Sequence, residues 1–172
     1  MKRLVISLVA IVSLLSVAVG IKQVYSLYSP PVAPVASTQT VQPEQKPPTV
    51  DELLRLVNAE RVKVGVAPLV IDERLNQSAQ YKAQDMIDRN YYAHKDPDTG
   101  LNNGLAYAKT IGAPCQIWIS ENIVMNSHSS LFAVSEWKNS PPHYKAMIDP
   151  RYESTGFGIA GDKVVEHFCD ER

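Results

Sequence analysis

Residues 136–147 read EWKNSPPHYKAM, and the two prolines at the centre restrict the fold more than any other stretch of the chain. Pro141 and Pro142 cannot sit inside a helix, and the residue before a proline is driven out of the helical region. The helix that carries Trp137 must therefore end at Ser140. The same prolines are suited to the first turn of a new, short helix, with Pro141 at its first position and Ser140 as its cap. His143 is delivered from the start of that second helix.

The other end of the chain is equally constrained. Lys2-Arg3 precede an uncharged apolar run of 18 residues from Leu4 to Ile21. A basic flank before an apolar run reads as an export signal, and about 18 residues also just suffice to cross a bilayer. Cleavage after Ala18 or Gly20 and retention as an anchor are both compatible with the pattern, and either leaves the remainder outside. No cysteine follows the run, which excludes a lipoprotein anchor. Residues 29–50, SPPVAPVASTQTVQPEQKPPTV, contain six prolines and no large aromatic, too little to form a core. The expected organisation is a signal peptide or signal anchor over 1–28, a disordered proline-rich linker over 29–48, and one folded domain over 49–172.

That domain carries 13 basic and 17 acidic side chains, a net charge of −4, with no basic run. Nucleic acid is excluded as a partner on that ground. Membrane contact is expected only through the N-terminal segment. Cys115 and Cys169 are the only cysteines. In an exported chain they are expected to form a disulfide, closing a loop worth about 4 kcal/mol by chain entropy; two buried thiols are the alternative.

Thr49-x-x-Glu52 has the form of a capping box, and Val50, Leu53, Leu54 and Val57 follow helical spacing up to Gly65. A second helix is expected from about Asp72 to Arg89, with Leu75, Ala79, Ala83, Met86 and Ile87 facing inward. Residues 95–114 carry the turn signals Asp96-Pro97, Gly100, Asn103-Gly104 and Pro114, and are expected to be loop. A third helix spans about Ser129 to Asn139 with Leu131, Val134 and Trp137. Thr155 to Ala160 and Lys163 to Cys169 flank Gly161-Asp162, which suits a type II′ hairpin. Helices first and a hairpin last imply an α+β fold with a mostly antiparallel sheet.

Four polar side chains at element boundaries are candidates for chemistry: His94, Glu121, Glu136 and His143. Two imidazoles and a carboxylate can bind a divalent metal, or act as acid and base without one. Spacing alone does not bring them together, and four unrelated surface or capping residues would give the same pattern. Asp96-x-Asp98-x-Gly100-x-Asn102 lacks the glutamate that closes a calcium loop and reads as a turn. His128 reads as a loop residue. His167 shares a strand face with Val165 and Cys169, which implies packing. No serine lies in a G-x-S-x-G context, so a serine hydrolase is not supported.

The stretches LLRLVNAERVKVGVAPLVIDERLNQSAQ, DMIDRNYYAH, SENI, EWKNSPPHYKAMIDP and STGFGIA, taken in order, resemble the CAP superfamily (the SCP-like extracellular domain) in its short bacterial form. The resemblance implies a three-layer α-β-α sandwich with one open cavity lined by His94, Glu121 and His143. It implies that His94 and His143 can hold zinc or magnesium, with Glu121 beside the ion. Three features depart from the pattern, one being that the arginine many bacterial relatives carry before the Glu-Asn pair is not evident in residues 101–114. Ser140 stands where many eukaryotic relatives have a second cavity glutamate, which makes Glu136, one helical turn earlier, a candidate substitute. Pro142 replaces the usual glycine.

Two functions follow as expectations. One is a non-catalytic surface module that binds a small-molecule, lipid or cell-wall ligand. The other is a metal-dependent hydrolase of peptide or cell-wall material, with Glu121 as general base. Two clear imidazoles and no clear third ligand favour the first.

Overall fold

The structure, a computed structural model, describes residues 46–115 and 117–171. The apolar N-terminal run and most of the proline-rich segment lie outside these residues. Thr49 opens the domain: its hydroxyl accepts the Glu52 N–H at 3.3 Å and starts α1 (Val50–Lys63). The reciprocal half of the expected capping box does not form. The Glu52 carboxylate pairs with Arg55, and the Thr49 N–H donates to Ser130 Oγ at 3.0 Å. A local motif has been exchanged for a tertiary contact.

The remaining elements are β1 (Val70–Ile71), α2 (Glu73–Asp88), α3 (Asn103–Thr110), β2 (Ile119–Val124), α4 (Ser130–Asn139), α5 (Pro141–Met147), β3 (Ser154–Ala160) and β4 (Lys163–Cys169). The sheet order is β1-β3-β4-β2, with β1 parallel to β3 and the other pairs antiparallel. Gly161, at φ +53°, turns β3 into β4.

Strand alternation sends side chains to two faces, and each face has its own core. Phe157, Val164 and Phe168 meet Leu53 and Val57 of α1, Val134 and Trp137 of α4, and Met147 of α5. On the other face Ile123, Ala160 and Val165 meet Ala79, Ala83 and Met86 of α2. Ala108 of α3 joins Leu75 and Cys169. The result is the α+β, three-layer α-β-α sandwich.

Gly156 and Gly158 set how closely α2 approaches. A Cβ on Gly156 would lie 2.2 Å from Asn76 N, and one on Gly158 would lie 2.1 Å from the Ala79 carbonyl carbon. The helix backbone therefore rests directly on β3. Because β1 is so short, β3 is an open edge beyond Thr155. Asn76 and Gln80 cover it from α2: Asn76 Oδ1 accepts the Phe157 N–H at 2.8 Å, and Gln80 both accepts from and donates to Ile159. Filled edge groups of this kind oppose strand addition.

Arg61 closes the opposite layer. Its buried guanidinium donates to the carbonyls of Ala67, Met147, Asp149 and Tyr152, tying α1 to the end of α5 and the approach to β3. Asn58 holds Leu69 through both its N–H and its C=O. The Cys115–Cys169 disulfide is formed, joining the chain ahead of β2 to the end of β4.

Four expectations need correction. Residues 95–114 contain a helix, α3, with Asn102 as its cap and Gly104 in its first turn. Asn-Gly is a turn signal locally, but here the glycine is required for close packing. Ile87 and Leu131 are 37% and 67% exposed rather than core residues, because the helices present adjacent positions inward. Ser140 precedes α5 but makes no side-chain capping bond.

Gly158→Ala is expected to cost about 3 kcal/mol or more in urea unfolding, because the helix backbone cannot yield to the new methyl group. Leu131→Ala, on the exposed side of α4, should change stability by no more than about 0.5 kcal/mol.

Candidate functional site

The site is built on the free edge of β2. Glu121 points to the α2 side of the sheet, directly across from His167 of β4. Its carboxylate is buried, and both oxygens are engaged. Oε1 accepts from His94 Nδ1 at 2.8 Å and from Asn102 Nδ2 at 2.9 Å; Oε2 accepts from His167 Nε2 at 3.0 Å. Burial by itself would raise this carboxyl. The hydrogen bonds from His167 and His94 outweigh it, with help from the nearby Lys82 charge, and hold it down to about 2.

His167 is therefore more than the packing residue its strand position implies. Ser78 Oγ lies 2.7 Å from Nδ1 and 3.1 Å from the Leu75 carbonyl. The hydroxyl donates to the Leu75 carbonyl, and His167 Nε2 faces the Glu121 carboxylate as its N–H donor. The sequence Ser78–His167–Glu121 has the connectivity of a hydrolytic triad, but Ser78 and His167 have no exposed surface. No substrate reaches that hydroxyl, and its work is to fix the imidazole.

Lys82 was equally invisible as a site residue. It lies on the inner face of α2, fully buried, and donates to Tyr91 Oη at 3.1 Å, the His94 carbonyl at 3.1 Å and Asn103 Oδ1 at 3.2 Å. Burial lowers its pKa, while the Glu121 and Asp85 charges oppose the shift. Asp85 receives Tyr91 Oη and Asn103 Nδ2. One buried ammonium thus pins both the loop bearing His94 and the start of α3, which bears Asn102. A lysine at an inward helical position was the signal available in the sequence. Gly104 admits this packing, since a Cβ there would lie 2.8 Å from Lys82 Cβ and 3.0 Å from His167 Cε1.

The Asp96 stretch is a turn, as its composition implied. Asp96 Oδ1 accepts the Asp98 and Thr99 N–H groups, and Arg89 pairs with Asp96 and Asp98. His143 arrives from α5. Its ring centroid is 5.9 Å from that of His94, at 60°. Asn122 Nδ2 holds the His143 carbonyl at 3.2 Å. Partial burial and the His94 charge lower the His143 pKa.

Glu121 is thus joined directly to His94, and His143 stands over the same imidazole. Glu136 is not in this group. It is exposed on α4, and its charge is felt at Tyr92, whose hydroxyl caps the Ile123 carbonyl on the β2 edge. His128 sits in its loop against Phe132, 4.7 Å between rings. Among the described residues no group of three His, Cys, Asp or Glu is arranged to hold a metal ion. Glu121 is turned toward its hydrogen-bond donors, and the two imidazole rings stand side by side.

A mixed sheet between two helical layers, with paired histidines over an edge-strand Glu-Asn pair, defines an SCP-like domain. The chain matches the sequence model of the Cysteine-rich secretory protein family, CAP, over residues 54–169, and it belongs to that family. It is 35% identical over 136 residues to the uncharacterized protein YkwD of Bacillus subtilis (strain 168), covering 76% of this chain and 49% of that protein. It is 30% identical over 122 residues to the uncharacterized membrane protein YlbC of the same organism, covering 68% of this chain and 33% of that protein. The chain therefore spans about half or less of these relatives. Among solved structures, an extracellular SCP-domain protein from Bacillus anthracis str. Ames superposes with a TM-score of 0.64 at 23% identity, over 70% of this chain and 40% of that one. An outer surface protein from Borrelia burgdorferi gives 0.63 at 19% identity, over 71% of this chain and 92% of that one.

Glu121→Gln leaves at least one of three donors facing an amide N–H₂ group instead of a carboxylate oxygen. At pH 7 the loss in urea unfolding is expected to be about 3 kcal/mol. The folded carboxyl sits near 2, against 4.5 for a free side chain. Its contribution is therefore complete above pH 4.5 and lost as pH falls toward 2. The stability gap between wild type and Glu121→Gln should close over that window.

Proposed function

We propose that this chain is an extracytoplasmic, non-catalytic binding module whose ligand is met by His94 and His143. The commitment of both Glu121 oxygens carries this reading. A general base needs a lone pair that water or substrate can reach, and the Glu121 side chain is only 2% exposed. Glu121 spends its oxygens on orienting His94, anchoring Asn102 and receiving His167, which makes it a positioning residue for the cleft. That weighs against the metal-dependent hydrolase that would use it as base.

Export is supported by the basic and apolar N-terminal sequence, by the disulfide, and by the extracellular and outer-surface descriptions of the SCP-domain relatives. The apolar segment would either be removed or hold the domain at the membrane. The ligand class proposed is a small molecule, a lipid headgroup or a cell-wall fragment with an acceptor or anionic group that two imidazoles can engage.

A divalent cation fits this donor set only in part. His94 donates through Nδ1 to Glu121, which leaves Nε2 as its lone-pair nitrogen, the arrangement in which a carboxylate orients a metal-binding imidazole. His94 and His143 would hold zinc, with solvent in the remaining positions. Magnesium, which prefers oxygen donors, fits less well. Bound zinc would supply a positive anchor for an anionic ligand.

Zinc titrated into the full chain at about pH 7.5 is expected to bind at one site, detected by calorimetry. His94→Ala/His143→Ala should abolish that binding, while Glu136→Gln should leave it unchanged. Zinc binding as tight in the double variant as in wild type would remove the paired imidazoles from the reading.

A further inference from the structure

The opposite edge of the sheet carries a second concave surface, away from the histidine cleft. It is a groove of about 690 Å³ between the start of α1 and the outer face of α2, lined by Val50, Phe157, Tyr81, Tyr107 and the carboxamides of Asn76, Gln77, Gln80 and Gln84. Its size falls within the range of roughly 300–1,000 Å³ usual for ligand sites.

The lining is chemically narrow. It contains four carboxamides, two tyrosines and two apolar side chains, and no formally charged group. Asn76 and Gln80 spend their oxygens on β3 and Gln84 gives an N–H to Asp88, which leaves the Asn76 amino group, the Gln84 oxygen and the whole Gln77 amide for a ligand dense in hydroxyls. Tyr81 and Tyr107 come from different helices and meet with ring centroids 4.7 Å apart, tilted by 37°. Tyr81 is 44% exposed. A tyrosine offers a flat apolar face with a polar rim. Two helices held together by the Arg74 contact to the Gly112 carbonyl and by close packing at Gly104 keep this platform fixed before any ligand arrives.

Other occupants fit less well. An extended peptide would pair with the edge of β3, but Asn76 and Gln80 already occupy the Phe157 and Ile159 N–H groups. A charged ligand would find no counter-charge in the lining. We propose that this groove binds a neutral oligosaccharide, with sugar rings against Tyr81 and Tyr107 and hydroxyls on Gln77 and its neighbouring carboxamides. The inference is independent of what the histidine cleft binds.

The test uses two neutral probes, a β-1,4-linked N-acetylglucosamine tetramer and a glucose tetramer, titrated into the full chain by calorimetry. At least one should bind saturably. Tyr81→Ala and Tyr107→Ala should each weaken it about tenfold, the order expected for one lost aromatic contact. Tyr81→Phe should retain most of the affinity, and this variant keeps the packing should alanine disturb the helix pair. His94→Ala/His143→Ala should leave saccharide binding unchanged. The proposal is overturned if neither probe binds at millimolar concentration. It is also overturned if binding survives Tyr81→Ala intact or disappears in the histidine double variant. A neutral extended peptide or a fatty acid binding at the tyrosines in place of both sugars would overturn it as well.

Discussion

A single buried carboxylate organises the cleft. Glu121 sits on an edge strand, where a charge with no partner would be costly to bury. Its two oxygens collect donors from three separate places: His94 in the loop after α2, Asn102 at the cap of α3, and His167 in β4. Each histidine is in turn held from behind, as is the cap of α3. Ser78 fixes His167, and Lys82 grips the His94 carbonyl and Asn103. Removing the carboxylate would leave the buried His167 donor without a partner and release His94 and Asn102, so site and fold share one network.

The two long edges of the sheet are treated differently. At β2 the residues Glu121–Val124 are buried, with Tyr92 on the Ile123 carbonyl and Asn122 reaching to His143. At β3 the edge groups are taken up by Asn76 and Gln80. That protects the sheet from pairing with another strand, and it also turns one side of α2 into a carboxamide surface. The same residues that blunt the edge line the groove and carry no charge.

The opposite core holds a further buried acid. Glu166 faces α1 and α4, its carboxyl raised well above its ordinary value by complete burial, against the pull of Thr155 and Arg61. Glu121 and Glu166 lie on neighbouring strands, on opposite faces of one sheet. Glu121 is held ionised by three donors. Glu166 has a hydroxyl on one oxygen and no partner for the other among the described residues. Environment, rather than residue type, sets the charge of each.

Much was legible in the chain itself. The helix of Val50–Lys63, the break at Ser140, the hairpin at Gly161 and the Cys115–Cys169 pair follow from spacing, proline stereochemistry and cysteine count, which are local or compositional facts. The family pattern placed His94, Glu121 and His143 on one cleft. What the chain could not show was partnership across long separations. Thr49 looked complete with Glu52, yet its N–H goes to Ser130; Asn103-Gly104 looked like a turn, yet it opens a helix whose glycine admits Lys82 and His167. His167 looked like a packing residue and Lys82 like an ordinary helical lysine, and both became supports of the site. A buried polar atom takes whichever partner the finished packing brings within about 3 Å. That partner is chosen by how sheet and helices stack, so the sequence determined the elements and the candidate groups, and only the tertiary structure decided what each group holds.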